Sequence, residues 1–390
     1  MHFFTKNFHL INIPPLFAIT LFFIIGIIWH TTLTLFLIIF AFLLCCSILA
    51  HIKQLQLPQQ LILCSFFVCA GAWLHQKELH DYDNFYTFTN NEHVTIAGII
   101  IDKSEVVNNY KESTLITLAI DTVATKLSAK KSNKILLLYT ESNTTSLPAH
   151  PELVEGRSAS NNITVGDTVT FFNICCKKPS SESFQRYQIK EQIVATIFNN
   201  APTYTINNHP TWSLRYWVWN QKKRLLDGLS RKLSPDGFRF FSSLFLGNRA
   251  CIKTTLEETN EQFKTWGISH FLARSGLHLA LFICIWQAIF CVIPLPMIIK
   301  QIIISLLSCI YFILTWTSAP FTRSFALFIL NKVCLFTKTP FHLLHYLTLV
   351  CFGFLLYCPL YLFFLDFQLS FALTFALAWF SQLSTQHKPK

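Results

Sequence analysis

Charge is what this chain has least of. Only 13% of its 390 residues are Asp, Glu, Lys or Arg, against about a quarter in a soluble domain. With 52% hydrophobic residues and a mean hydropathy of +0.42, the scarcity excludes an ordinary water-soluble globule and points to a membrane protein. Glycine is scarce too, at 11 residues beside 39 Phe, as bulky lipid-facing helix surfaces would require. No Cys-x-x-Cys pair has partners at zinc spacing, and His75, His80 and Asp81 are spaced for neither a helix face nor a known site. No metal or other cofactor is therefore expected. No G-x-x-x-x-G-K-[ST] phosphate loop occurs either, so the chain carries no motor of that kind.

What is present is cysteine, lysine and arginine in revealing places. Most of the 13 cysteines, among them Cys45, Cys46, Cys64, Cys69, Cys284, Cys309 and Cys358, sit in apolar runs and read as small buried hydrophobes. Cys175 and Cys176 are adjacent in an expected strand, so their side chains should point to opposite faces; a bridge to Cys251 is the weak alternative. The formal charge of +11 suits Lys- and Arg-biased cytoplasmic loops, interfacial segments near anionic lipid, or nucleic acid.

Along the chain, residues 1–75 hold three apolar runs, Pro15–Trp29, Leu33–Ala50 and Leu61–Leu74, short to adequate for crossing a bilayer. The first reads as an anchor rather than a signal peptide, since it has no small-residue cleavage site and two more runs follow. Residues 76–211 turn polar and strand-like. Val94–Ile101, Thr114–Ala119, Lys134–Thr140, Thr168–Cys176 and Ile193–Phe198 are rich in β-branched and aromatic residues, Gly166-Asp167 marks a turn, and Ser183–Gln192 fits a short helix. Five short strands suit a small Greek-key barrel of the OB type, with Thr144–Asn162 a long insertion. Residues 212–266 open with Trp212, Trp217 and Trp219 interleaved with Arg215, Lys222, Lys223, Arg224, Arg231 and Lys232, a composition for helices lying in the membrane interface.

Residues 267–390 are again apolar, with spans expected at about His270–Ile293, Met297–Trp316, Phe321–Phe336, Phe341–Tyr357 and Leu360–Leu383. Three early and five late crossings place Lys6, Lys53, Lys300, Lys338, Lys388 and Lys390 on one side. By the positive-inside rule that side is the cytoplasm, and the polar domain lies outside. The fold class is thus a polytopic α-helical membrane protein with an extracytoplasmic OB-like β domain inserted after three helices.

Polar residues inside the late apolar runs carry the functional signal. Ser269 to His278 places two histidines, an arginine and two serines where Leu or Val is usual; a charge at the centre of a membrane helix costs about 2.5–3.5 kcal/mol on insertion scales. His270 and His278 lie eight apart, on nearly one helical face. Gly276 permits close helix approach or a local break. Arg274 and Arg323 offer planar forks to phosphates, and Asp366 is the intramembrane acid that either arginine can pair with. Helix packing through interhelical hydrogen bonds is the competing explanation for His270, Ser275 and Ser370, and a satisfied core histidine is the one for His278.

These elements, in this order, resemble the ComEC family of competence proteins. Leu246-Gly247-Asn248-Arg249 is similar to the leucine–glycine element upstream of the family signature. Phe263, Gly267 and His270 lead into Ser275-Gly276-Leu277-His278. Ser318-Ala319-Pro320 with Arg323 resembles the proline–arginine motif, and Pro359 with Asp366-Phe367-Gln368-Leu369-Ser370-Phe371-Ala372 a block in a later helix. Gly166-Asp167 and Phe184-Gln185-Arg186-Tyr187 are weaker matches in the soluble part. Ala273-Arg274-Ser275 departs from the family by placing a charge where an apolar residue is usual, and no H-x-H-x-D-H run of the family's metallo-β-lactamase-like domain is present. A short family member, one half of a split pair, and a non-functional remnant all remain open.

The resemblance implies a non-enzymatic channel component of the bacterial inner membrane that passes single-stranded DNA inward during natural transformation. Its partners would be membrane lipids, a cytoplasmic motor, a periplasmic DNA receptor and a separate nuclease. The implied DNA-pathway residues are His270, Arg274, Ser275, Gly276, His278, Arg323, Asp366, Gln368 and Ser370. Lys126, Lys130, Lys131 and Lys134 are the basic candidates in the OB-like domain, with Tyr110, Tyr139, Phe171 and Phe172 as aromatics for stacking or core. The alternative is a transporter or membrane-embedded enzyme for another anionic substrate, built on Arg274, Arg323 and Asp366.

Overall fold

The computed structural model describes residues 15–28, 57–89, 92–108, 111–125, 129–132, 134–141, 163–199, 202–210, 213–234, 237–238, 241–246, 265, 276–315, 318–340 and 342–386. The run Leu33–Ala50, the insertion Thr144–Asn162, and Tyr110, Lys126 and Cys251 lie outside them. The chain divides into two compact units: residues 1–81, 279–305 and 319–390 form one, and residues 82–278 and 306–318 the other.

In the first unit, helix α1 (Pro15–Ile28) crosses helix α2 (Leu57–Thr89) at a glycine contact. A Cβ on Gly26 would stand 2.0 Å from the Val68 carbonyl oxygen, and one on Gly71 would stand 2.3 Å from that of Phe23. Only bare backbones fit so close, the usual device of membrane helix pairs. The later helices of the chain are α5 (Gly276–Val292), α6 (Met297–Leu314), α7 (Ala319–Thr337), α8 (Leu343–Tyr357) and α9 (Leu365–Gln386).

Prolines punctuate them. Pro294 and Pro296 separate α5 from α6, and Pro320 sits in the first turn of α7, where its missing N–H costs nothing. Cys358 before Pro359 is extended (φ −154°, ψ 111°), which ends α8. The last expected span, Leu360–Leu383, is therefore two elements, a 3₁₀ turn at Pro359–Phe363 and then α9. Phe23 and Ile27 of α1, Leu347, Val350, Cys351 and Leu355 of α8, and Phe367 and Phe371 of α9 form a common core.

Helices α6 and α7 are long and apolar enough to cross a bilayer, with mean hydropathy 2.2 and 1.2; Leu16–Ile28, Gly276–Val292, Leu343–Tyr357 and Leu365–Ser381 are apolar but shorter. This pattern agrees with a membrane protein.

The second unit is a mixed seven-stranded sheet: β1 (His93–Asn108), β2 (Lys111–Ala124), β3 (Ala129–Lys131), β4 (Ile135–Glu141), β5 (Thr168–Cys175), β6 (Ile193–Phe198) and β7 (Thr203–Asn208). The order is β6-β4-β2-β1-β5-β7, with β3 on β2. All five expected strands are present, and alternation buries Ile116, Leu118 and Ile120 of β2 and Leu136 and Leu138 of β4.

The expected barrel is not closed. β6 joins β4 in parallel at one edge and β7 joins β5 at the other, so the described ladder has two ends. Helix α3 (Glu182–Lys190) lies on β6, where the Gln188 amide donates to Thr196 Oγ1 at 3.1 Å. Helix α2 runs four turns beyond its apolar stretch because its end packs here: the hydroxyls of Tyr82 and Tyr86 donate to Gln188 Oε1 and the Val194 carbonyl, both at 2.6 Å.

The Gly166-Asp167 turn is a working joint. Gly166 has φ +98°, a left-handed conformation that favours glycine. Asp167 is buried and accepts from the Thr164 N–H (2.7 Å) and hydroxyl (2.9 Å), with His209 Nδ1 at 2.8 Å. The adjoining Ser213 caps helix α4 (Leu214–Lys232), its hydroxyl accepting from the Tyr216 N–H at 3.4 Å.

Cys175 and Cys176 do face opposite ways, the second fully buried and the first half-buried. Burial pushes the Cys176 thiol up to about 12. At pH 8 its thiolate fraction is then on the order of one in ten thousand, and maleimide followed by peptide mapping is expected to leave Cys176 unmodified until the chain is denatured. The unfolded thiol has a pKa of about 8.5. The folded state keeps this support in full below that value and loses it as pH rises towards about 12.

Candidate intramembrane polar site

Arg323 lies in the second turn of α7, and its side chain crosses to α9. Its Nη1 donates to the Ser370 carbonyl and to Thr374 Oγ1, and its guanidinium carbon stands 5.7 Å from the centre of the Phe371 ring. The three partners come from one helical turn. Thr374 Oγ1 in turn donates to the Ser370 carbonyl at 2.7 Å, so the hydroxyl accepts from the arginine and donates to the backbone at once. Around this point the helices are apolar, with Phe367 and Phe371 both buried. Two polar atoms stay unspent there: Arg323 Nε and Ser370 Oγ are buried without a hydrogen-bond partner. Each such group costs roughly 1–3 kcal/mol when left unmatched.

The Arg323–Asp366 pair suggested by the sequence does not form. Among the described residues Arg323 meets no carboxylate, because its reach takes it one turn further along α9. Asp366 is exposed in the first turn of α9, where a negative charge suits the helix dipole. Gln368 is exposed and donates to the Leu362 carbonyl at 2.7 Å, tying α9 to the preceding 3₁₀ turn. Gly276 is the first residue of α5. His270, Arg274 and Ser275 lie outside the described residues.

His278 belongs to the other unit. It is buried, its ring edge-on to Phe245 at 5.9 Å, within a π-turn at Ser242–Leu246 whose Phe245 carbonyl accepts from the Tyr311 hydroxyl at 2.8 Å. The last histidine of the signature thus meets Phe245, just ahead of the leucine–glycine element. Ser242 and Ser308 are fully buried there, their hydroxyls unpartnered.

Sequence reasoning missed Thr374, although its spacing of four from Ser370 was visible. It also missed Lys332, whose Nζ bonds Gln301 Oε1 across α6 and α7 and lies 5.1 Å from the Phe328 ring centre; a lysine inside an apolar helix was itself the signal. In the sheet, Lys130 and Lys131 are exposed on β3, while Lys134 is held by Gln192. Phe171 is core and Phe172 is exposed. The ring pair the sequence did not suggest is Tyr139 stacked on Phe198 at 4.8 Å, with Phe198 76% exposed. Among the described residues no group of three or more His, Cys, Asp or Glu side chains is placed to hold a metal ion.

Apolar helices joined by an arginine that bonds a backbone carbonyl and a threonine hydroxyl agree with the class of helical membrane proteins. Residues 244–390 match the family model described as Competence protein. Over that segment the chain is similar to competence proteins, in keeping with the ComEC resemblance read from its motifs. No curated protein and no solved structure matches the chain.

Proposed function

We propose that the chain is a ComEC-like, non-enzymatic component of a multi-pass channel in the bacterial inner membrane, passing single-stranded DNA inward during transformation. The observation that supports this reading is the competence-domain match over the segment that joins Arg323 to Ser370. A DNA strand brings one anionic charge per phosphate into an apolar layer. The unspent Arg323 Nε and Ser370 Oγ are donors suited to a phosphate oxygen. In this reading the sheet lies outside the cytoplasm, as the lysine distribution over eight crossings suggests, and keeps the OB-like task of guiding the strand, with Lys130, Lys131 and the Tyr139–Phe198 pair as contacts. A cytoplasmic motor, a periplasmic receptor and a nuclease would act with it.

A clean deletion is expected to abolish entry of fluorescent DNA into the cytoplasm while leaving DNA bound at the cell surface. Undiminished entry would sink the proposal.

A further inference from the structure

Lys332 stands near the end of α7, about 7.5 Å short of Thr337 along the axis at 1.5 Å per residue. A lysine so close to the end of an apolar helix ordinarily runs its stem outward and lets the ammonium reach the headgroups. This one turns the other way. Its ammonium lies 5.1 Å from the ring centre of Phe328, one turn deeper in α7, and donates to Gln301 Oε1 on α6. Gln301 is itself buried.

Both partners of this cation are neutral. Among the described residues Lys332 meets no carboxylate, and a single one of its three N–H donors is spent. Because Gln301 Oε1 accepts from the lysine, its amide nitrogen keeps two N–H donors, for which the described residues supply no acceptor. The surrounding sequence offers no counter-charge. Between Glu261 and Asp366 there is no Asp or Glu, whereas Lys264, Arg274, Lys300, Arg323, Lys332 and Lys338 all fall there. The spot therefore holds unspent donors beside a positive charge that no fixed anion balances, in an apolar layer where such a charge is costly.

We infer that Lys332 and Gln301 form an oxyanion site between α6 and α7, and that its occupant is a backbone phosphate of the transported strand. This rests on the channel reading and adds a station that Arg323 does not supply. Nine residues, two and a half turns, separate the two cations, so Arg323 faces α9 and Lys332 faces α6. In the eight-crossing arrangement Lys300 and Lys338 mark this end of the helix pair as cytoplasmic, which puts the site towards the exit. The ammonium meets a phosphate as a point charge, and the amide N–H fixes one of its oxygens. A lipid headgroup offers the same chemistry from the membrane surface, but the turn over Phe328 carries the ammonium away from that surface.

The test holds the full chain in nanodiscs of phosphatidylcholine, open to solvent on both faces, and reads binding of fluorescein-labelled oligothymidylate by anisotropy over a range of salt. Lys332→Gln is expected to weaken binding about tenfold at low salt. It should also flatten the slope of log affinity against log salt by about 0.7, one phosphate contact fewer on a single strand. Lys332→Arg should keep the wild-type slope. Gln301→Leu removes the amide donors and leaves the charge, so it should weaken binding with the slope unchanged. Equal slopes for the wild type and Lys332→Gln would overturn the inference and leave the channel reading standing; no binding by the wild type would overturn both. Nanodiscs containing phosphatidylglycerol separate the two sources of phosphate. If native mass spectrometry found that Lys332→Gln loses bound phosphatidylglycerol while oligothymidylate binding is unchanged, the site would belong to a headgroup and the strand would be ruled out as its occupant.

Discussion

Arg323→Ala is expected to remove uptake of labelled DNA and to lower the amount of protein in the membrane, whereas Arg323→Lys should keep the amount and still lose uptake about tenfold or more. The guanidinium joins α7 to α9 through the Ser370 carbonyl and the Thr374 hydroxyl while lying over Phe371. Alanine removes all three contacts; polar ties between membrane helices are worth about 1–2 kcal/mol. Lysine can still donate to the Ser370 carbonyl as a point charge, but it has no Nε and no planar fork to share between helix and phosphate. Thermal unfolding in detergent, immunoblots of membranes and fluorescent DNA entry separate the terms. Full uptake in the lysine variant would make Arg323 a tie between helices and nothing more.

Gly26→Ala should be the most damaging single methyl in the described part of the chain. The new Cβ would stand 2.0 Å from the Val68 carbonyl oxygen, and neither backbone can yield without parting α1 from α2. Overpacking costs about 1–3 kcal/mol and sometimes more. Here it also displaces Phe23 and Ile27 from the core. Gly71→Ala, aimed at the Phe23 carbonyl from the other helix, should behave alike. The double variant should cost less than the sum, since one separation relieves both clashes. Gly353→Ala is the control: nothing lies within 4 Å of its Cβ, and alanine is the better helix former by roughly 1 kcal/mol. Loss of membrane abundance for Gly26→Ala and Gly71→Ala but not for Gly353→Ala is the expected pattern; equal abundance in all three would show that the crossing is looser than the structure has it.

How far the fold could be read from the sequence depended on how local each signal was. β6 was legible to the residue, and α3 to within two, because β-branched runs and flanking polar residues mark their ends. The late helices were legible because Pro294, Pro296, Pro320 and Pro359 fix where helices stop and start. β7 was missed because Thr203-Tyr204-Thr205-Ile206 is short, exposed and followed by two asparagines. The open sheet was missed because nothing local tells β4 to accept β6 in parallel. At the candidate site, residue types were legible and partners were not. Arg323 and Ser370 stood out singly as polar residues in apolar runs, but Asp366 was a chemically natural partner for the arginine, and only the geometry of α7 against α9 directs it to a carbonyl and a hydroxyl instead.

The shared core of α1, α8 and α9 sets an order of events during synthesis. Phe23 and Ile27 find their partners in Leu347, Val350, Phe367 and Phe371, and the ribosome reaches those residues more than 300 positions later. At about 5–20 residues per second that delay is some 20–60 seconds. In water an apolar helix exposed for so long would invite aggregation. In a bilayer it can wait, since lipid tails are as apolar as the side chains that later replace them. The crossing at Val68 and Gly71 involves only α1 and α2, so it is expected to form before the rest of that core is made.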